Sequence, residues 1–239
     1  THILSHPLEA ILTNTRGTEN VLKAAREVGA RVVFASTSEV YGESEELPFT
    51  EDSHRVLGPT WTHRWCYATA KALDEHLCFA YLDGGLDVSV VRYFNVFGTR
   101  MDPEGYGSVI AKFLSQALAG DDITVYGDGE QTRTFTHVDD AVEATILAGT
   151  LPQATGQAFN VGGKKEYSIN ALARRILRVT GSSSPIVHVP FLAAYGPGFA
   201  ETRRRVPDIT KARRILGWEP RIGLEAGLAA LVAEREQPA

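Results

Sequence analysis

The first part of the chain alternates between amphipathic helical patterns and short apolar runs. Apolar residues recur at helical spacing over Pro7–Val28, and the pattern ends at Gly29, which predicts a helix with a glycine after its last turn. A β-branched and aromatic run over Arg31–Ala35 predicts a buried strand. A helix over about Trp65–Tyr81 and a strand over Asp87–Phe94 follow. This alternation indicates an α/β protein with a parallel, doubly wound sheet.

From Gly98 onward the pattern breaks into shorter units, which predicts a smaller mixed region. The helices expected there are Val109–Ala119, Asp139–Leu147, Ser168–Thr180 with Ser168 as its cap, Pro207–Leu216 and Leu224–Ala233. The strands expected there are Ile123–Tyr126, Thr134–His137, Ala158–Val161 and Ile186–Val189. The stretch Gly127–Arg133 is rich in turn residues, and Arg203–Arg205 is expected to be an exposed basic loop.

Composition narrows the class of protein. The chain has 239 residues, 44% of them hydrophobic, which is enough to bury a substantial core. A net charge of -5 argues against a nucleic-acid partner, because binding to a phosphate backbone needs a basic surface. No apolar run is long enough to span a membrane, so we expect a cytoplasmic protein with no membrane partner. Cys66 and Cys78 are too few for a disulfide framework and lack metal-ligand spacing, so no metal site is expected.

One pair of side chains has the spacing of a catalytic unit. Tyr67 and Lys71 are four residues apart on a predicted helix and therefore share a face. Upstream, Ser36 and Thr37 close a predicted strand, and ligands of open α/β sheets bind at that end of the strands. A neighbouring ammonium favours a phenolate, so Lys71 is expected to lower the pKa of Tyr67. Tyr67 would then take a proton from a substrate hydroxyl that Thr37 holds in place.

Six stretches together carry a more specific signal than the Tyr-x-x-x-Lys spacing alone. They are ASTSEVYG (35–42), RWCYATAK (64–71), RYFNVFG (92–98), VYGDGEQTRTF (125–135), FNVG (159–162) and PDI (207–209). In this order they resemble the extended short-chain dehydrogenases that act on nucleotide sugars. The resemblance implies a Rossmann-like sheet whose N-terminal strands are absent. Residues 1–98 would be the second half of the cofactor-binding domain, and residues 99–239 mainly a substrate lobe with segments returning to the sheet.

The resemblance also implies roles for the site residues. Hydride would pass from the sugar C4 to NAD⁺, giving a 4-keto intermediate, with Tyr67 as the base and Lys71 also holding the nicotinamide ribose. Ser36 would lie on the cofactor side. Asn95 and Arg133 would contact the diphosphate or the nucleotide of a UDP-sugar substrate. A homodimer is expected, formed through the two long helices of the first part.

One part of the family pattern is missing. The family opens with a strand and a Gly-rich turn that cradle the NAD diphosphate at a helix N-terminus. This sequence contains no G-x-G-x-x-G. By analogy, we expect that a segment on the order of 80 residues, or two to three βα units, precedes this one in the full protein. The chain by itself is then expected to bind NAD weakly or not at all.

The fate of the 4-keto sugar separates the family members. Decarboxylases of the family carry a Thr-Ser-Glu triplet, matched by Thr37, Ser38 and Glu39, and an Arg near the closing motif, matched by Arg205. The resemblance therefore favours UDP-glucuronate decarboxylase. Ser38 is a poor acid for a 4,6-dehydratase, which uses Asp there. A 4-epimerase stays open, since Arg204 or Arg205 would also suit a diphosphate. A non-catalytic sugar-nucleotide-binding protein is the remaining alternative.

Overall fold

The fold consists of nine helices and ten strands over the part of the chain that the structure describes. A computed structural model describes residues 2–102, 108–195 and 202–235. The helices are α1 His2–Ser5, α2 Pro7–Val28, α3 Cys66–Asp83, α4 Val109–Ala119, α5 Val138–Thr150, α6 Ile169–Thr180, α7 Phe191–Tyr195, α8 Thr210–Leu216 and α9 Leu224–Arg235. The strands are β1 Val32–Thr37, β2 Val88–Tyr93, β3 Val96–Phe97, β4 Ile123–Tyr126, β5 Thr132–Thr134, β6 Thr136–His137, β7 Ala158–Val161, β8 Glu166–Ser168, β9 Ile186–Val189 and β10 Arg204–Arg205.

A parallel sheet with the order β1-β2-β7 forms the centre of the first part. On one face, Leu22 of α2 and Cys78 of α3 pack against Phe34 and neighbouring strand residues. On the other face, α5 and α8 pack over Phe159, together with Trp218. Because helices cover both faces, β2 is apolar and buried along most of its length. The doubly wound arrangement predicted from the sequence is confirmed.

Local sequence signals predicted several helix ends correctly. Helix α2 begins at Pro7, where a missing backbone N–H costs no helical bond. It ends before Gly29, whose φ of 67° is left-handed and lets its N–H reach the carbonyls of Ala25 and Arg26. Ser168 caps α6 by accepting a hydrogen bond from the backbone N–H of Ala171.

The second part has its own core, although some of its segments join the central sheet. Phe113, Leu172 and Leu228 are among the residues of this core, and they come from α4, α6 and α9. Around it lie a small sheet of order β10-β5-β8 and the pairs β3-β6 and β4-β9. Strand β7 lies in the central sheet instead. Within the described ranges, no helix is long and apolar enough to cross a membrane.

Two expectations for the second part are wrong. Thr134–His137 is not one strand, because the chain changes partner there: β5 pairs antiparallel with β8, and β6 pairs parallel with β3. Arg203–Arg205 is not an exposed loop, because its last two residues form β10 beside β5. Successive residues of a strand point to opposite faces, so Arg205 is buried while Arg204 is exposed.

Candidate active site

The carboxyl end of β1 brings the first two candidate residues together. Thr37 caps the 3₁₀ turn Ser38–Tyr41, and its hydroxyl oxygen accepts a hydrogen bond of 3.2 Å from the backbone N–H of Glu39. The same side chain lies beside the phenol of Tyr67 on α3, where it lowers the pKa of that phenol. The predicted pairing of a strand-end threonine with the helix-borne tyrosine is therefore present in the structure.

The pKa of Tyr67 differs from the expectation. Burial raises the pKa of its phenol, the charges of Glu39 and Asp74 raise it further, and the bond to Thr37 opposes them. Lys71 does not supply the expected lowering, because its ammonium lies over the Phe34 ring, 4.1 Å from the centroid. Burial also lowers the pKa of Lys71 itself. In this structure the phenol is therefore a weaker acid than a free tyrosine.

Glu39 lies between two arginines. Its carboxylate accepts a hydrogen bond of 2.6 Å from Nη1 of Arg64 and one of 2.5 Å from Nη1 of Arg205. Burial alone would raise the pKa of Glu39, but the two guanidinium groups outweigh it and lower the pKa to about 2. One carboxylate thus faces two guanidinium groups and is ionised at neutral pH.

Arg205 has unused hydrogen-bonding capacity although it is only 5% exposed. Its Nη2 donates to the Thr202 hydroxyl at 3.3 Å, and its Nε has no partner among the described residues. Buried donors are nearly always paired, so an unpaired guanidinium N–H beside a positive cluster suits an anionic ligand.

Asn95 and Arg133 approach this region through β5. Arg133 is not in a turn, as the sequence suggested, but in β5, where it is opposite Arg205 of β10 in the sheet register and is buried. Asn95 follows β2 with a left-handed φ of 43°, and its side-chain amide donates to the carbonyl of Thr134 at 2.8 Å. These contacts place both candidate substrate-binding residues beside β5.

Two other candidates have partners elsewhere. The Ser36 hydroxyl donates to Oε1 of the buried Glu75 at 2.5 Å. The guanidinium of Arg204 makes a two-pronged ion pair with Glu166, with distances of 2.9 and 2.8 Å, and its side chain is exposed. Cofactor binding by Ser36 and diphosphate binding by Arg204 therefore stay predictions.

Comparison with known proteins identifies the family. Residues 3–162 match the model of the NAD dependent epimerase/dehydratase family. The chain belongs to this family. Its Tyr67, Lys71 and Thr37 all lie within the matched range.

Individual family members give the finer picture. A UDP-N-acetyl-alpha-D-glucosaminuronate decarboxylase of Bacillus cytotoxicus is 48% identical over 92% of this chain and 68% of its own length. UDP-glucuronic acid decarboxylase 1 of Xenopus tropicalis is 42% identical over 93% of this chain, which spans 51% of that protein. The crystal structure of UDP-glucose 4-epimerase from Thermotoga maritima with UDP-glucose superposes with a TM-score of 0.86 at 31% identity, covering 97% of this chain and 72% of that one.

The described residues include candidates for binding one end of NAD, the family's cofactor, namely its nicotinamide ribose. Tyr67 and Lys71 lie on one face of α3 beside the carboxyl end of β1, where they would hold the nicotinamide ribose. The other edge of β1 has no strand partner among the described residues, and a groove runs between that edge and α2. A Gly-rich cradle for the diphosphate is missing from this sequence. Binding of the nicotinamide ribose by Tyr67 and Lys71 stays a prediction.

Sequence reasoning assigned no role to three charged residues of this part of the family fold. Arg64 donates a hydrogen bond to Glu39, and both Ser36 and Arg92 donate to Glu75. A signal existed for two of them. Glu75 lies eight residues after Tyr67 and four after Lys71, hence on the same helix face. Arg92 is a charge inside an otherwise apolar strand, which requires a buried partner.

Proposed function

We propose that this chain carries the catalytic residues of a UDP-hexuronate decarboxylase, with UDP-glucuronate as the first candidate substrate. The observation that carries the proposal is the Glu39 carboxylate held between Arg64 and Arg205, next to Thr37 and Tyr67. Two guanidinium groups at one site, one of them with an N–H that no described residue accepts, are suited to a sugar that carries a carboxylate.

The proposed reaction is balanced without a net oxidant. Thr37 holds the C4 hydroxyl, and Tyr67 takes its proton. When bound, NAD⁺ supplies the acceptor for the C4 hydride and returns that hydride at the end. The 4-keto group is β to the C6 carboxylate, so the C5–C6 bond breaks with loss of CO2, and its electron pair forms an enolate. A proton from water then adds to C5. As C4 is reduced, Tyr67 returns its proton to O4, which leaves a UDP-pentose.

The raised pKa of Tyr67 sets a condition on this scheme. Burial and the charge of Glu39 hold the phenol protonated, so proton transfer from the sugar requires additional positive charge near its oxygen. Lys71 would supply that charge if its ammonium left the Phe34 ring and moved toward the phenol. Glu39, with its pKa of about 2, is ionised at neutral pH, so it can hold the arginines but is neither a proton donor nor an effective base.

The C2 substituent and the fate of C4 define the rival activities. A relative at 48% identity is named for the N-acetylated hexuronate, which carries the same C6 carboxylate. Arg64 and Arg205 would bind that carboxylate in either sugar. A 4-epimerase is the second candidate function, because the superposed T. maritima structure is one and shares the fold. An epimerase would keep the carboxylate and invert C4.

The test uses two forms of the protein, this chain alone and the longest reading frame that contains it. Each is incubated with NAD⁺ and with UDP-glucuronate, UDP-N-acetylglucosaminuronate or UDP-glucose, and CO2 and the sugar products are followed by NMR. We expect CO2 and a UDP-pentose from a hexuronate, no product with Tyr67→Phe, and a decrease with Glu39→Gln. Glu219→Gln, which alters an exposed ion pair with Arg213, is the matched control. Retained carboxylate with inverted C4 would establish an epimerase, and no turnover of any sugar while NAD binds would rule out the enzyme.

We also propose a cytoplasmic homodimer that forms through α2 and α3. The two helices pack against each other, and each exposes a large apolar side chain, Leu8 at 67% and Leu73 at 49%. Sedimentation of the wild type and of Leu8→Glu/Leu73→Glu tests this, since two buried charges would dissociate the dimer. A wild-type monomer at micromolar concentration would contradict the proposal.

A further inference from the structure

A saturated ion pair crosses the interior between α3 and β2. The guanidinium of Arg92 donates to Glu75 from Nε at 2.9 Å and from Nη2 at 2.6 Å. Ser36 donates to the same carboxylate at 2.5 Å. All three residues are at most 9% exposed. The helix that carries Tyr67 is thus joined through one carboxylate to both β1 and β2.

The pair extends to a second layer of buried polar groups. Nη1 of Arg92 donates to the Tyr41 hydroxyl and to the carbonyl of Glu51, both at 2.8 Å. The Tyr41 hydroxyl donates to the side-chain oxygen of Asn160 at 2.6 Å, and the Asn160 amide donates to the carbonyl of Phe49. Each nitrogen of the Arg92 side chain therefore has a partner, which is the condition for a buried charge to be tolerated.

Four members of this network lie close in sequence to candidate active-site residues. Ser36 precedes Thr37, and Tyr41 follows Glu39 by two residues in the same 3₁₀ turn. Glu75 is four residues after Lys71 on α3, one turn further along the same face. Arg92 comes three residues before Asn95. The network therefore joins every element on which the proposed proton-transfer residues stand.

Stability alone does not explain such a pair. Burying two charges costs desolvation energy, and apolar residues of similar volume often stabilise a fold equally well. Short, directional hydrogen bonds fix the distance and the rotation of one element relative to another, which apolar packing does not. Catalysis depends strongly on both, since a displacement of about 1 Å can cost roughly 100-fold in rate.

We propose that Glu75 and Arg92 are positioning residues that hold the Tyr67–Lys71 face of α3 in register with Thr37 at the end of β1. This inference rests on the proposed function for its kinetic consequence. It concerns residues that touch neither the sugar nor NAD, and they act through Ser36, Tyr41 and the helix.

The decisive variant replaces both charges with apolar groups of similar volume, Glu75→Leu/Arg92→Met. Because no unpaired charge remains, we expect its thermal midpoint to exceed that of Glu75→Leu alone. We expect kcat to fall about 10- to 100-fold with KM within about twofold of wild type. The control is Asp140→Asn, a buried carboxylate that accepts hydrogen bonds from the backbone of Arg221 and Ile222 at 3.1 and 3.0 Å, away from the network. Its kcat should stay within about twofold.

A spectroscopic measurement separates this inference from the proposed activity. In protein labelled with [¹³Cζ]tyrosine, the Tyr67 signal is identified by its loss in Tyr67→Phe. If the network sets the contact between Thr37 and Tyr67, the chemical shift of this signal changes at pH 7 in Glu75→Leu/Arg92→Met. It is unchanged in Asp140→Asn. The comparison holds whether or not the protein turns over a hexuronate, so a failed assay would sink the function and leave the positioning claim to be judged by this signal.

Ser36→Ala serves if the double variant does not fold, because it removes one hydrogen bond and no charge. A moved Tyr67 signal, with kcat reduced about threefold or more at constant KM, supports the proposal. A double variant, or Ser36→Ala in its place, with wild-type kcat and an unmoved signal would show that the network is structural only and overturn it.

Discussion

Two buried clusters of arginine and glutamate lie close together in this fold and differ in how fully they are paired. In the first, Glu75 and Arg92 have one carboxylate for one guanidinium, and every Arg92 nitrogen has a partner. In the second, Glu39 faces both Arg64 and Arg205, and Nε of Arg205 has no partner among the described residues. The saturated cluster has nothing to offer a ligand. The second has two guanidinium groups at one carboxylate and an Arg205 N–H that no described residue accepts, which favours an anion as the missing partner.

The largest effect that tests this comparison is on stability. Glu75→Met leaves Arg92 buried and without its counter-charge, so we expect the free energy of unfolding to fall by about 3 to 5 kcal/mol. Urea denaturation at pH 7 measures it. Glu219→Met removes an exposed carboxylate that pairs with Arg213 and is the control, with an expected loss much smaller than that of Glu75→Met because water screens the pair. Equal losses in the two variants would show that the saturated cluster is not a buried charge pair in energetic terms.

The next effect is the pH dependence that Glu39 gives to stability. Its pKa is about 2 in the folded protein against 4.5 as the ordinary value, so the folded state favours the ionised form. The stabilisation is therefore complete above about pH 4.5 and is lost as the pH falls toward 2. Its size is about 3 kcal/mol, from roughly 1.4 kcal/mol per pH unit.

Unfolding midpoints at pH 7, 4.5 and 3 for wild type and Glu39→Gln check this expectation. The variant should be the less stable protein at pH 7, and the difference should shrink as the pH falls to 3. Other carboxylates contribute to both curves equally, so only the difference reports on Glu39. A difference that stays constant across this range would mean that the arginines do not hold the carboxylate in its ionised form.

A smaller effect is expected on ligand binding through the free donor of Arg205. Arg205→Lys keeps the charge but removes the Nε donor and the planar fork. We expect the dissociation constant of UDP-glucuronate to rise about 10-fold or more, because a hydrogen bond to a charged group contributes about 1.5 to 3 kcal/mol. Titration calorimetry measures it, and the binding of UDP-glucose, which lacks the carboxylate, should change less. An equal change for both sugars would place Arg205 at the diphosphate instead.

The sequence predicted those features that depend on neighbours along the chain. The bounds of α4, β4, β7 and β9 agree with their expected ranges, since hydrophobic periodicity and turn residues are local signals. The contact of Thr37 with Tyr67 was also predictable, because a parallel sheet gathers its ligand-binding groups at one edge.

The remaining features depend on long-range pairing. The contact between Arg205 and Glu39 joins residues 166 positions apart, and Arg205 is buried only because β10 pairs with β5. The pKa of Tyr67 could not be predicted from spacing, since an i, i+4 lysine can turn toward the phenol or toward the ring of Phe34. Periodicity fixes the face of a helix but not the rotamer of a long side chain.

The smallest expected effect concerns Arg204, which neighbours Arg205 but lies on the opposite face of β10. Its exposed ion pair with Glu166 should contribute only about 0.2 to 1 kcal/mol, because water screens both charges and the long side chain loses freedom. Arg204→Ala should therefore change the urea midpoint slightly, and still less in 0.5 M salt. Affinity for UDP, measured by calorimetry, decides between the two faces. Unchanged affinity in Arg204→Ala confines anion recognition to the buried cluster, whereas a tenfold loss would mean that Arg204 leaves Glu166 for the diphosphate when the nucleotide binds.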